Sequence, residues 1–372
     1  MLYVIFTVQY GSHLNGFFGG CVDNLIYQRF DNFNHADSFF DTLKKDYEEF
    51  SGWLRKKAIA GESAYVLYSD AREIDGFMYL KMEDAVDDVE PPLPHGRHLK
   101  IGTFKFNSKG SLRGQRFIKK ALDYAIRENA DDIYVTVFEK HDYLIKIFER
   151  YGFILHGKKE TLNGVELVYV RTLKVCRQDL LLDYPCVSTV GNKKFLLAIY
   201  PDFHTRLFPD SILNNESADI VEDVSYTNSI HKIYICAMQG VMQAKKGDLL
   251  VIYRTSDKLG PARFRAVATS VCVVEDVRNI REFSSLEEFL GYCERFSVFS
   301  KNDLINMYAH KRYPYIIRFT YNIALPKRPT RGTLLDNVGL NESDYWGFME
   351  LTNNQFETIL RLGEVDESLV IN

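Results

Sequence analysis

Apolar residues recur along this chain with two different periods, and the switches between them mark out its elements. Phe39, Phe40, Leu43, Tyr47, Phe50 and Leu54 stand at helical spacings, which line one face of a helix. One or two helices are therefore expected over 37–60, behind a cap at Asp37 or Ser38. The runs at 64–69 and 73–82 read as a hairpin, and the proline-rich stretch 84–96 as a loop. HLKIGTFKF at 98–106 alternates with a period of two, as a strand does. A helix over 113–129, a buried strand at 132–138, a helix over 142–151 and strands at 152–157 and 164–173 complete one mixed α/β layer. A further strand is expected near Leu2–Val8.

Beyond a connector at 174–194 the pattern shortens. YPDFHTRLFPDS (200–211), HKIYICAM (231–238), GDLLVIYRT (247–255), ARFRAVATSVCVVEDV (262–277) and YPYIIRFT (313–320) are brief runs punctuated by Gly and Pro. One short helix, SLEEFLGYC at 285–293, lies among them. Short strands of this kind suggest a small β-barrel. The expected organisation is a first α/β domain over 1–173 and a second, α+β domain over 195–372. A helix at 352–361 should pack back on a core.

Composition narrows the class. With 46% hydrophobic and 26% charged residues the 372-residue chain can bury a sizeable core, which excludes a disordered protein. The net charge of −4 gives no global argument for nucleic acid, but it hides an asymmetry. Residues 191–330 hold 19 Lys and Arg against 15 Asp and Glu, whereas the segment after 330 holds 2 against 8. The six cysteines form no CxxC pair and read as buried thiols of a reducing compartment. The apolar start lacks a basic flank, so no signal peptide is expected and the protein is read as cytoplasmic. His95 and His98 have no third ligand at metal spacing, so no metal site is expected.

The candidate chemistry begins at SLRGQRFIKKALDYA (111–125). A strand ending in TFKF, a loop and an amphipathic helix place backbone N–H groups at a helix N-terminus, where they and the helix dipole favour a pyrophosphate. Lys109, Arg113 and Arg116 add positive charge beside Gly114. The competing reading is a plain strand–turn–helix link with solvated cations. Joined to IYVTVFEKHDYLIKIFERYGFILHG, however, this element makes residues 37–172 resemble the GNAT superfamily of acyl-CoA-dependent N-acetyltransferases.

That resemblance implies a mixed sheet flanked by helices, with acetyl-CoA as the cofactor. The family's loop pattern is Arg/Gln-x-x-Gly-x-Gly/Ala, and here Arg116 and Ile118 occupy the two small positions. By this resemblance the cofactor would lie among Phe104, Phe106, Lys109, Arg113, Gly114, Arg116, Phe117, Ile118, His141 and Phe148. A tyrosine often protonates the leaving thiolate, but that position is Phe148 here. Tyr143, Tyr151, His141 or a water would have to serve. A neutral amine would attack the thioester, with a backbone N–H of the Lys100–Phe106 strand stabilising the oxyanion. Glu83 and Asp84, at the end of the preceding strand, are the carboxylates considered for the general base.

The later run HKIYICAMQGVMQAKKGDLLVIYRT, then RFRAVATSVCVVEDV, a helix and YPYIIRF, resembles the PUA-like superfamily that includes ASCH and EVE domains. The resemblance implies a small barrel whose basic, aromatic-lined cleft binds RNA or a modified base. His231, Lys232, Tyr234, Arg254, Arg263, Arg265 and Arg318 would line it, with Lys245 and Lys246 at the rim. The combined expectation is an acetyl-CoA-dependent N-acetyltransferase acting on an RNA or nucleotide-bearing amine. Two other readings stay open: a CoA-sensing or nucleic-acid-binding regulator on a degenerate scaffold, and an enzyme acetylating a protein or small amine.

Overall fold

In a computed structural model, residues 24–371 are described, apart from 70, 108, 109, 111, 174, 212 and 214–223. The strand expected near Leu2–Val8 lies outside the described residues. Seven strands build the first sheet: β1 (Leu25–Arg29), β2 (Ser63–Tyr68), β3 (Ile74–Glu83), β4 (His98–Phe106), β5 (Asp132–Val137), β6 (Ile154–Thr161) and β7 (Gly164–Thr172). Their order is β1-β2-β3-β4-β5-β7-β6.

Alternation along β3 shows how the two faces are covered. Phe77 and Tyr79 pack with Phe40, Phe50 and Leu54 under α1 (Asp41–Asp46) and α2 (Phe50–Ile59). Met78 and Leu80 join Phe117, Leu122 and Ile145 under α3 (Arg113–Arg127) and α4 (Asp142–Arg150).

One feature of β4 governs the site. β4 and β5 run parallel, pairing His98–Ile101 with Asp132–Val135, and there the pairing stops. On its other side β4 sets Ile101 opposite Leu80 and Thr103 opposite Tyr79, leaving Gly102 as an extra residue. Such a β-bulge bends its strand and shifts the side-chain phase. Leu99 and Ile101 face α3 and α4 before the bulge; after it Phe104 and Phe106 pack against that same core.

The second sheet follows β8 (Val187–Ser188) and contains β9 (Lys194–Ile199), β10 (His231–Cys236), β11 (Leu249–Arg254), β12 (Val267–Asn279), β13 (Tyr315–Ala324) and β14 (Phe348–Leu351), in the order β10-β13-β12-β11-β9-β14. It curls: Tyr234 and Cys236 of one edge strand and Phe348 of the other share a core with Phe195 and Phe319. Around it lie α5 (Pro201–Leu207), α6 (Ser225–Asn228), α7 (Ala262–Arg265), α8 (Leu286–Cys293), α9 (Lys301–His310), α10 (Arg331–Asp336) and α11 (Asn353–Leu362). β15 (Val370–Ile371) pairs with β8. The chain is thus a helix-flanked α/β sheet joined to an α+β unit.

Two stretches differ from their expected form. Residues 201–207 are helical, because Pro201 sits in the first turn with its φ already set and Asp202 beside it favours the helix N-terminus. Residues 262–265 form a helical turn, and the strand begins only at Val267. β9, α9 and β14 had not been expected. The last helix begins as read, with a capping box between Thr352 and Gln355.

The two sheets meet along α3. The Gln115 carbonyl accepts from Ser229 Oγ at 2.8 Å and from the Ile230 N–H at 3.0 Å. Asp210 pairs with Lys120 at 2.5 Å and with Lys119 at 3.5 Å. Burial opposes the Asp210 charge, but Lys120 and Lys119 outweigh it and hold the carboxyl well below the usual range. Beside them Lys232 is fully buried, donating to the carbonyls of Tyr226 at 2.6 Å and Thr227 at 3.1 Å. Burial lowers its pKa to about 7, with Asp210 opposing the shift and Arg116 and Lys119 adding to it.

Lys232 gives this interface a pH signature. An unfolded lysine holds its proton up to about pH 10.4, so between pH 7 and that value the unfolded chain binds more protons than the folded one. Stability should therefore rise with pH across this window. Urea denaturation at several pH values should show the rise in the natural chain and a flatter profile in Lys232→Met.

Candidate active site

A cleft of about 740 Å³ opens where β4 and β5 part. Its walls come from both faces of the sheet: Tyr47, Phe50 and Trp53 from the α1–α2 side, and His141, Tyr143, Leu144 and Phe148 from α4. Gly102–Phe106 and Val135–Phe138 form the seam between them. β3 takes one edge of β4 as far as Phe106. Among the described residues no strand pairs with the opposite edge beyond Ile101, so that edge presents peptide groups to the cleft.

On the α1–α2 side the Tyr47 hydroxyl donates to Glu166 Oε1 at 2.6 Å, and its ring stacks on Phe138 with centroids 5.4 Å apart. Burial and the Glu166 carboxylate together push the Tyr47 hydroxyl far above its ordinary pKa, so it stays a donor. Asn163 donates to Glu49 at 3.0 Å, and Asp46 pairs with Lys140 at 2.6 Å. Lys105 is tied to the Phe39 carbonyl and to Thr42, and Lys159 to Asp88. Lys100 differs: its Nζ lies over the Tyr134 ring, 5.4 Å from the centroid.

Of the side chains expected at the site, Phe104, Phe106, His141, Tyr143 and Phe148 line this cleft. Phe148 is buried against Phe104, with centroids 5.4 Å apart. Tyr143 is 56% exposed at the mouth. Lys109 lies outside the described residues.

The acids require correction. Glu83 accepts from Lys81 at 2.7 Å and from the Tyr134 hydroxyl, and does not line the cleft. Burial raises its pKa, but those two donors prevail and keep the carboxyl below its ordinary value. Asp84 is exposed and also outside the lining. Tyr151 is buried against Tyr184 and reaches no part of the cleft.

The loop cations are corrected too. Arg113 is 4% exposed, in an ion pair with Asp75 at 3.0 Å and donating to the Asn107 carbonyl at 3.0 Å. Arg116 points to Asn24 at 2.8 Å and Asn228 at 3.5 Å. The cause is helical spacing: 116, 119, 120 and 123 share the face of α3 that the second sheet covers. Phe117 and Ile118 are core residues. At Gly114 a Cβ would stand 2.9 Å from the Phe106 ring and 3.0 Å from Ile147, so a side chain here would push Phe106 aside. Among the described residues, what the loop offers is backbone. The Gly110 carbonyl is held by Ser225 Oγ at 3.2 Å and Arg295 at 3.0 Å.

The expected nucleic-acid cleft does not assemble. All six residues of β10 are buried, His231, Lys232 and Tyr234 among them. His231 lies between Glu275 at 2.9 Å and Arg150 of α4 at 3.1 Å. Arg318 pairs with Glu275 at 3.1 Å and sits over Phe296. Arg254 is buried, while Arg263 and Arg265 pair with Asp336 and Asp257. β10 is not an exposed barrel strand: Ile233 and Ile235 pack with Phe289, Cys293 and Leu304 of α8 and α9, while Tyr234 and Cys236 join the core of the sheet. Lys245 and Lys246 are exposed.

Sequence reasoning missed Tyr47, Lys100 and Glu166. Tyr47 was read only as a helical core position. Glu166 carried a signal, as a lone acid inside the apolar run GVELVYV, and it is 5% exposed.

No family model matches the chain, and no curated protein sequence matches it. Partial likenesses of fold exist among solved structures. A GNAT-family acetyltransferase from Streptococcus agalactiae matches at 18% identity and a TM-score of 0.28, over 36% of this chain and 78% of its own. A GNAT-family acetyltransferase from Elizabethkingia anophelis, solved with acetyl-CoA bound, matches at 12% identity and TM-score 0.30, over 41% and 99%. ZmASCH from Zymomonas mobilis matches at 9% identity and TM-score 0.30, over 46% and 96%. Among the described residues no group of three or more His, Cys, Asp or Glu could hold a metal ion, and no helix is long and apolar enough to cross a membrane.

The inward turn of Arg113 has a measurable consequence. Arg113→Leu breaks the buried ion pair with Asp75, which should cost about 3 kcal/mol of stability. Urea denaturation of the two chains, compared at pH 7, reads this difference.

Proposed function

We propose that the cleft binds acetyl-CoA and that the chain transfers the acetyl group to an amine. The observation that carries this reading is the parting of β4 from β5 beyond Ile101, with an unpaired strand edge in the gap and a helix N-terminus following the same strand. Such a gap suits an extended chain bearing amides, and backbone N–H groups at the start of α3 suit its phosphates. The site therefore fits the cofactor through backbone rather than through loop arginines. When bound, acetyl-CoA would supply an acyl group activated as a thioester.

The chain's own residues would do the rest. Peptide N–H groups on the free edge of β4 stabilise the oxyanion. Glu166, oriented by the Tyr47 hydroxyl, receives the proton of the attacking amine. Tyr143, on α4, would return a proton to the thiolate. The part up to 173 would carry the transfer, and the part from 195 would clamp α3. The inward arginines favour a second reading, a CoA-binding regulator that does not turn over.

Calorimetry with desulfo-CoA, followed by transfer of labelled acetyl groups to a panel of amines, separates these. Transfer is the expected outcome; binding without transfer to any amine would favour the regulator, and no binding would remove both readings. In a transferring enzyme Glu166→Gln should lower kcat roughly a hundredfold, the scale of a lost general base, while desulfo-CoA affinity is retained.

A further inference from the structure

Four lysines line the cleft, and three of them are held. Lys105 donates to the Phe39 carbonyl and Thr42, Lys140 pairs with Asp46, and Lys159 pairs with Asp88. Lys100 makes no hydrogen bond or ion pair with any described residue; its Nζ lies over the face of Tyr134. It stands at the inner end of the seam, two residues before the bulge, where β4 and β5 are about to part.

We propose that Lys100 is itself an acetyl acceptor, modified by the acetyl-CoA held in its own cleft; this rests on the cofactor reading above. The ring face attracts the charged form and so holds the proton weakly in place, but among the described residues no carboxylate pairs with the amine. Desolvation works in the opposite direction. Burial lowers the Lys100 pKa, and the nearby Lys159 and Lys81 lower it further, against Glu83 and Asp88.

The step balances without a further reactant. The Nζ lone pair forms the new N–C bond to the thioester carbonyl carbon as the C–S bond breaks. One amine proton leaves, and the thiolate takes one up. The products are an amide on Lys100 and free CoA. The amide carries no charge, so the modification removes the one untethered ammonium from this wall.

The test uses the full chain. It is incubated with labelled acetyl-CoA, digested and mapped by mass spectrometry, with desulfo-CoA binding measured in parallel by calorimetry. The expected result is acetyl on Lys100, formed at a rate per chain that does not change with protein concentration, as an intramolecular reaction requires. Lys100→Arg should lose this label while binding desulfo-CoA like the natural chain, which shows that it is folded. Binding with no label on Lys100, or label spread evenly over exposed lysines, overturns the inference and leaves the cofactor reading standing. A rate that rises with protein concentration overturns it as well. Absence of desulfo-CoA binding overturns both.

Discussion

A single inserted residue, Gly102, shapes the first half of this protein. By leaving the β3 ladder out of step, it turns β4 away from β5 after four residue pairs. The gap, the free peptide edge and the inward phase of Phe104 and Phe106 all follow from that one bulge. Glycine is required there by close approach: a Cβ would stand 3.0 Å from the Tyr79 ring. Tyr79 cannot give way freely, since its hydroxyl is engaged by Lys57 at 2.6 Å and Glu62 at 3.2 Å.

The second constraint is α3, which serves two neighbours. One face packs Phe117, Ile118, Ala121 and Leu122 into the first core. The other carries Gln115, Arg116, Lys119 and Lys120 to partners on the second sheet. Buried charge is stabilising only when paired, so this polar face fixes how the two sheets dock. It also fixes the loop before α3, whose Gly110 carbonyl is gripped by Ser225 and Arg295. Whatever binds the loop therefore senses the second sheet.

The elements of the first sheet were legible because their periods are clean. HLKIGTFKF is a strand over the very residues expected, and the helix of SLRGQRFIKKALDYA starts at Arg113. The bulge was not legible, since a glycine in a strand signals several things and its register is set by β3. The directions of Arg113 and Arg116 were hidden for a related reason. A charge run looks solvated until the surface covering it is known, and here Arg113 turns back to Asp75, 38 residues earlier, while Arg116 reaches Asn228, 112 residues further on. The same blindness made β10 look like an exposed basic strand, although His231 lies between Glu275 and Arg150 and Lys232 donates to the carbonyls of Tyr226 and Thr227. Glu166 was visible as an oddity in its strand, but only the fold brings it to Tyr47, 119 residues away.

In the proposed function the cofactor lies along the seam between β4 and β5. Amide hydrogen exchange with and without desulfo-CoA reads its position on the backbone. Slowed exchange is expected at Thr103–Phe106, at Val135–Phe138 and in the first turn of α3, with the second sheet unchanged apart from its contacts to the loop. Slowing confined to the second sheet, or none at the seam, would contradict it.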